Sequence, residues 1–477
     1  MNRLKLTVFV IATAIFGMKA SIIPHPEKVQ TEAFQAAIDS ISESGGGVLR
    51  LSEGDYVTGT LALKDNVTVC LDGGARILGS LNPYDYAGYA VAGQDDNRMA
   101  DKCSVKLMGL IVAEGVHNIC LIGHGTIDGR GLEVALAIDS LHHIGERIDP
   151  AYNIRRMRPS IRPKLIDFEH VNGAVIENVN LRSSAAWGLS LNNSENITVR
   201  NISFVNRAYW NNDGIDVADC HNVLIEGCDI NSADDGIVLK SFDPKSGNDN
   251  IAIRDCDIRS SANALKIGTE SFGYVRNVDI RNIRIRDTFR SAVAIETVDG
   301  AKVDNIRVDS IDARNTGNAI FMRLGHRRGD APGCLRNVYV GNLNCEIPFG
   351  RPDENYDLRG PDINIIHNPF PNSITGIPGH RIENVRLENI TVSHPGRGTK
   401  GMAYIGKYRI KDVPEEIASY PEFHMFGELP AWGFYIRHVD GIRFDNVKLI
   451  LREPDYRDAV VTDDVVDMAG DAVIQKL

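Results

Sequence analysis

The chain reads as an all-β protein, a right-handed parallel β-helix with a short N-terminal capping helix, and three observations predict it. The first is a repeat. The pattern Asn-(Val/Ile)-x-(Ile/Val/Leu) begins at Asn196, Asn222, Asn250, Asn277, Asn305, Asn337 and Asn384, with Gly173 and Gly441 opening the same pattern at either end. The second is a constant offset. Six residues past each start sits another apolar residue: Val179, Ile202, Cys228, Cys256, Ile283, Ile311, Leu343, Ile390 and Val447. The third is spacing. The early steps are 23 to 28 residues and the last reaches 57, with small or polar residues at the turns. Short β-rich units of that period stack into solenoids. A leucine-rich repeat would need a Leu-x-x-Leu-x-Leu signature, which is missing.

At the N-terminus, Arg3 and Lys5 precede the apolar run Leu6 to Phe16, and Ala20 and Ser21 follow. That outline is a secretory signal peptide over residues 1–20, so the expected mature chain is one β-helix domain, 21–477, exported to the periplasm or beyond the cell. Phe34, Ile38 and Ile41 have helical spacing after Thr31, a plausible N-cap. This helix is expected to cover the open end of the solenoid until Gly45-Gly-Gly ends it. Gly123-His-Gly-Thr-Ile-Asp-Gly looks superficially like a dinucleotide loop, but no helical pattern is evident after it, and it reads as a coil turn.

Composition narrows the partners. A net charge of −11 argues against nucleic acid. No internal apolar stretch is long enough for a membrane span, and nothing calls for a cofactor or a metal. The chain is expected to be a monomer acting on a polysaccharide or oligosaccharide. Its eight cysteines could form disulfides in an exported chain. Cys228 and Cys256, however, occupy stacked interior positions where thiols pack as small hydrophobes.

The chemistry concentrates in one tripeptide. Asp213-Gly-Ile recurs as Asp235-Gly-Ile one coil later, with Asp234 just before it. Neighbouring strands lie about 4.8 Å apart, so three carboxylates converge. Like charges raise each other's pKa, and a cluster so unfavourable to hold points to acid–base chemistry.

Arg162-Pro-Lys-Leu-Ile-Asp-Phe, Ser184-Ala-Ala-Trp-Gly-Leu, Asn212-Asp-Gly-Ile-Asp and Ala233-Asp-Asp-Gly-Ile-Val-Leu-Lys-Ser resemble, in order, the landmarks of the polygalacturonases, glycoside hydrolase family 28. Ala36-Ala-Ile-Asp through Gly45-Gly-Gly and the Gly123–Gly129 segment resemble that family as well. The resemblance implies an inverting pectin hydrolase on a right-handed β-helix. It makes Asp234 the general acid and gives Asp213 and Asp235 the attacking water. Two departures stand out. Asn263 occupies the place of a family His, and Ala294-Ile295-Glu296 replaces the Arg-Ile-Lys that grips a substrate carboxylate.

Alternation along the strands places Asp216, Val238, Lys266, Ala294 and Phe321 in one outer column. Lys240, Gly268, Glu296 and Arg323 form a second, and Asp213, Asp235, Asn263, Ser291 and Asn318 a third. Lys240, Lys266, Arg290 and Arg323, with the loop at Arg155-Arg-Met-Arg-Pro, could gather beside the acids and suit an anionic substrate. They could equally form a surface ladder with Glu296. Trp210, next to Tyr209, is the candidate sugar platform, so the expected substrate contacts are Trp210, Lys240, Asn263, Lys266, Glu296 and Arg323. The ring-rich interruption from Gly401 to Tyr435 either caps the last coil or walls off one end of a cleft. A walled cleft would favour release of sugars from chain ends. A polysaccharide lyase with a Lys base and Ca²⁺, or a non-catalytic carbohydrate binder, is the rival use of the same scaffold.

Overall fold

The computed structural model describes residues 17–91, 107–148, 152, 161–353 and 370–477. The repeat resolves into three columns of parallel strands, the architecture of a right-handed parallel β-helix. Lys164–Glu169, Leu189–Asn192, Ile215–Ala218 and Ile237–Ser241 stack as successive rungs of one column. Asn172–Glu177, Glu195–Arg200 and His221–Glu226 stack in the second. Asn180–Arg182, Ser203–Asn206 and Asp229–Ser232 stack in the third.

Backbone geometry explains why Asn and Gly open each repeat. Asn196, Asn222, Asn250, Asn277, Asn305, Asn337 and Asn384 all have φ between 53° and 61°, and Gly173 and Gly441 sit at 81° and 75°. This left-handed bend is open to Gly, and to Asn among residues with a side chain. The Asn side chains also join the coils: Asn222 Nδ2 donates to Asn196 Oδ1 at 3.1 Å and Asn250 Nδ2 to Asn222 Oδ1 at 2.8 Å. A second bend falls at Asn178, Asn201, Asn282, Asn342, Asn389 and Asn446. Six residues after each start, the apolar column from Val179 to Val447 is buried throughout, none of it more than 2% exposed.

The N-terminal helix, α1, spans Thr31–Glu43 and buries Phe34, Ile38 and Ile41 on the first coils. Thr31 is its first residue rather than its cap. Gln30 holds the cap position, and Thr31 Oγ1 accepts from Gly59 N at 2.7 Å, fastening the helix to a coil instead. A helix does follow the Gly123–Gly129 turn: α2, spanning Gly131–His143, buries Val134, Ala135 and Ile138. Its apolar residues, among them Leu132 and Leu136 on the exposed side, run around the helix instead of gathering on one face, so no helical period stands out in the sequence. The expected end of the leader falls inside a strand, Met18–Ser21, paired with Gly47–Leu51. The rest of the leader, and the Arg155 loop, lie outside the described residues. All seven described cysteines are free, and Cys228 and Cys256 pack in the interior.

Candidate active site

The first strand column carries the acids on its outer face. The turns before Ile215–Ala218 and Ile237–Ser241 each hold an aspartate followed by glycine, Asp213-Gly214 and Asp235-Gly236, and the glycine is sterically required. A Cβ on Gly214 would lie 2.4 Å from the Gly236 carbonyl oxygen, and one on Gly236 would lie 2.5 Å from that of Ala264. Removing the side chain lets the turns nest, with Gly214 N donating to Asp235 O at 2.9 Å and Gly236 N to Asn263 O at 2.8 Å. Asp213 and Asp235 therefore stand one above the other, and the repeated Asp-Gly-Ile follows from that constraint. Asn212 and Asn206 brace the upper turn. Asn212 Nδ2 donates to the carbonyls of Ser184 and Ala186, and Asn206 Nδ2 to that of Asp213.

Asp234 is held from below. Its carbonyl accepts from Ser232 Oγ at 2.7 Å and Ser260 Oγ at 2.6 Å, and its Oδ1 accepts from Asp235 N at 3.1 Å. Asn263, in the place of the family histidine, donates to Asp235 Oδ1 from both its backbone N at 3.1 Å and its Nδ2 at 2.9 Å.

Two lysines reach the acids. Lys266 Nζ lies 3.0 Å from Asp235 Oδ2 and 3.7 Å from Glu296 Oε2. Lys240 Nζ lies 3.4 Å from Asp216 Oδ1 and 3.7 Å from Asp213 Oδ2. All are under 10% exposed, where charge interactions are far stronger than in water.

The adjacent aspartates are pushed in opposite directions. Burial, then the charge of Asp235, raises the Asp234 carboxyl above its ordinary value, against Arg290, Lys266 and Lys240. Burial also acts on Asp235, but Lys266, Lys240 and Arg290, with the Asn263 hydrogen bond, outweigh it and hold that carboxyl below its ordinary value. Asp213 is driven well up by burial and by Asp216 and Asp234. The two adjacent carboxyls are thus moved apart, Asp234 toward holding its proton and Asp235 toward ionisation, the kind of difference that acid and base roles call for.

The Gly401–Tyr435 interruption lies against this face. It begins with a helix, Lys400–Tyr408, and continues as a strap whose Phe423 packs on Ala294 and Phe321. Tyr420 Oη is 3.4 Å from Lys266 Nζ, and Glu422 Oε1 is 2.5 Å from Arg290 Nη1. Arg323, expected among the substrate contacts, points away from the acids. Its guanidinium donates to the carbonyls of Gly376 at 2.9 Å, Glu415 at 2.6 Å and Glu416 at 3.0 Å and lies 5.2 Å from the Phe426 ring, so the next rung and the strap together supply its acceptors. Glu296 pairs with Lys266 rather than with Lys240 or Arg323. Burial lifts its carboxyl to about 8 although Lys266 opposes it, so at neutral pH it is mostly uncharged.

Among the rings, Tyr209 is buried beneath the Arg162 guanidinium, 5.0 Å away. Trp210 is half-buried against the core, and its carbonyl accepts from Arg162. Trp187 sits closer to the acids' lysines: Lys240 Nζ is 4.7 Å and Lys164 Nζ 5.5 Å from its ring, which stacks on Phe242. The Trp187 motif is visible in the sequence. Tyr420 and Glu422 carry no signal there beyond the richness of their segment in rings.

Comparison with known proteins agrees with this geometry. A probable polygalacturonase from Vitis vinifera is 25% identical over 332 residues, 67% of this chain and 58% of that protein. A polygalacturonase from Ralstonia solanacearum is 24% identical, over 64% of each chain. The chain therefore spans about three-fifths of the length of these relatives. In fold it is similar to the family 28 exopolygalacturonase of Yersinia enterocolitica (TM-score 0.64, 16% identity, 96% of this chain and 78% of that one). It is also similar in fold to the exopolygalacturonase of Thermotoga maritima (TM-score 0.59, 20% identity, 79% and 87%). The family model described as glycosyl hydrolases family 28 matches residues 60–331, and the chain belongs to that family.

Proposed function

We propose that this chain is a glycoside hydrolase that cleaves a pectic chain by an inverting acid–base mechanism and releases sugar from a chain end. The observation that carries the reading is the opposite tuning of Asp234 and Asp235 on one turn. Asp234 protonates the glycosidic oxygen as it leaves. Asp235, ionised and oriented by Lys266 and Asn263, takes the proton of the attacking water, with Asp213 as the second group on that water. Membership of the family and the likeness to polygalacturonases support pectin as the substrate. Chain-end action is supported by the strap, which seats Tyr420 and Glu422 on the cleft face one and two coils past the acids.

The choice of pectic chain follows from charge. Ala294 and Glu296 stand where the family grips a carboxylate, and Lys266 and Arg290 already face acids of the chain itself. The expected repulsion by Glu296 is weakened by its protonation at neutral pH, and what disfavours a uronate is that Lys266 and Arg290 are both committed to acids of the chain. A mixed chain of the rhamnogalacturonan type should be turned over with a higher kcat/KM than polygalacturonate. Defined oligosaccharides of each kind, with products identified by NMR, test every part. Inverted anomers released singly from chain ends are the expected result. Products bearing an unsaturated uronide, or efficient random cleavage of polygalacturonate, would overturn the reading.

A further inference from the structure

Arg290 has a bonding pattern that hydrolysis alone does not explain. Its side chain is 6% exposed and meets Glu422 end-on, Nη1 to Oε1 at 2.5 Å, while Nε has no hydrogen-bond partner among the described residues. A guanidinium is a planar fork of five donors suited to two carboxylate oxygens at once, so a buried one engaged at a single corner is underused. Its turn stacks on that of Asn263, with Arg290 N donating to Ala262 O at 2.9 Å and Ser291 N to Asn263 Oδ1 at 3.2 Å, and Asn263 in turn holds Asp235, so Arg290 lies two turns beyond that acid in the same column. The group that meets it comes from far along the chain, on the strap, and is chemically the same as the carboxylate of a uronic acid. The neighbouring strap-side cation is occupied as well, since Lys266 is shared between Asp235 and Glu296. Both Glu296 carboxyl oxygens lack hydrogen-bond partners among the described residues.

We propose that Glu422 occupies a carboxylate receptor formed by Arg290, so that the strap's own acid makes the adjoining subsite take an uncharged sugar in place of a uronate. The proposal rests on the glycosidase reading and adds a specificity-determining pair to it. If Glu422 instead only anchors the strap, its removal would lower the rate on every substrate alike. Occupation predicts a change in preference.

The test compares wild type, Glu422→Gln and the double variant Glu422→Gln/Arg290→Gln on galacturonate oligomers and on rhamnogalacturonan oligomers. Glu422→Gln is expected to raise the kcat/KM ratio of galacturonate to mixed oligomers about tenfold or more, the factor that a freed charge-assisted hydrogen bond supplies. The double variant should lose that gain. An unchanged ratio, or an equal fall on both substrates, overturns the proposal. Calorimetric titration of digalacturonate into the same proteins carrying Asp234→Asn separates the two readings. If wild type turns over neither oligomer, the glycosidase reading fails, and the titration still decides this one. Tighter binding on Glu422→Gln, abolished by Arg290→Gln, supports the receptor, and equal binding rejects it.

Discussion

The same coils carry ion pairs on two faces, and the faces differ in kind. On the outward side of the other strands Arg276 pairs with Asp249, Arg284 with Asp257 and Arg336 with Asp304, with the arginines 49% to 70% exposed. On the cleft face Lys266 pairs with Asp235 and Lys240 with Asp213 and Asp216, with every side chain at 7% exposure or less. Water screens the first set, which therefore contributes little. The second set has lost its hydration, and burying charge is unfavourable enough that hydrophobic residues would usually stabilise the fold as well or better. Coils able to build exposed pairs at little expense nonetheless hold a costly buried cluster, as the proposed acid–base mechanism requires.

That contrast can be broken most severely at Asp234. Asp234→Asn keeps the shape of the turn and removes the transferable proton, so kcat on a verified substrate should fall about a thousandfold or more while circular dichroism stays that of wild type. Near-normal turnover would mean that the buried cluster is not catalytic.

Glu296 makes the buried face sensitive to pH. Its carboxyl titrates near 8 in the fold and near 4.5 once unfolded, so the folded state binds the extra proton between those values. Its stabilising effect is complete below about pH 4.5 and is lost as pH rises through 8. Glu296→Gln should remove that dependence, making the variant more stable than wild type above pH 8 relative to their difference at pH 5. Thermal melts at the two pH values measure it, and parallel curves would show that Glu296 is ionised throughout.

The smallest effect is expected on the outer face. Arg284→Ala should leave turnover unchanged and shift Tm by about a degree or less, as activity assays and melts would record. A large loss there would erase the distinction between the faces.

The outer face and the interior are legible in the sequence because local rules govern them. A left-handed bend selects Asn or Gly, the pleat alternates apolar residues inward, and both recur with each coil, so the apolar column from Val179 to Val447 follows from the repeat alone. The acids are legible for a related reason, since Gly214 and Gly236 mark where turns nest and the aspartates precede them. The strap's contribution is not. Tyr420 and Glu422 reach Lys266 and Arg290 across more than a hundred residues, and no periodicity encodes such a contact. Arg323 departs from expectation for the same reason. Its column position is as expected, beside Glu296 in register, but its guanidinium follows the strap carbonyls that only the tertiary fold supplies. Thr31 shows the effect on a small scale, its hydroxyl drawn from a helix cap to Gly59.

The long reach of the strap also sets an order in time. A ribosome releases the chain from its N-terminus, and solenoid coils contact only their neighbours, so rungs can stack as they emerge. By the time residue 300 has emerged, Asp213, Asp234, Asp235 and both lysines can occupy adjacent rungs, with Arg290 exposed and its partner not yet made. The acid cluster can therefore form first as an open, strapless groove, and its closed form must wait for about the final sixth of the chain. A chain stalled or cut before Gly401 would carry Asp213, Asp234 and Asp235 and none of the strap that closes over them.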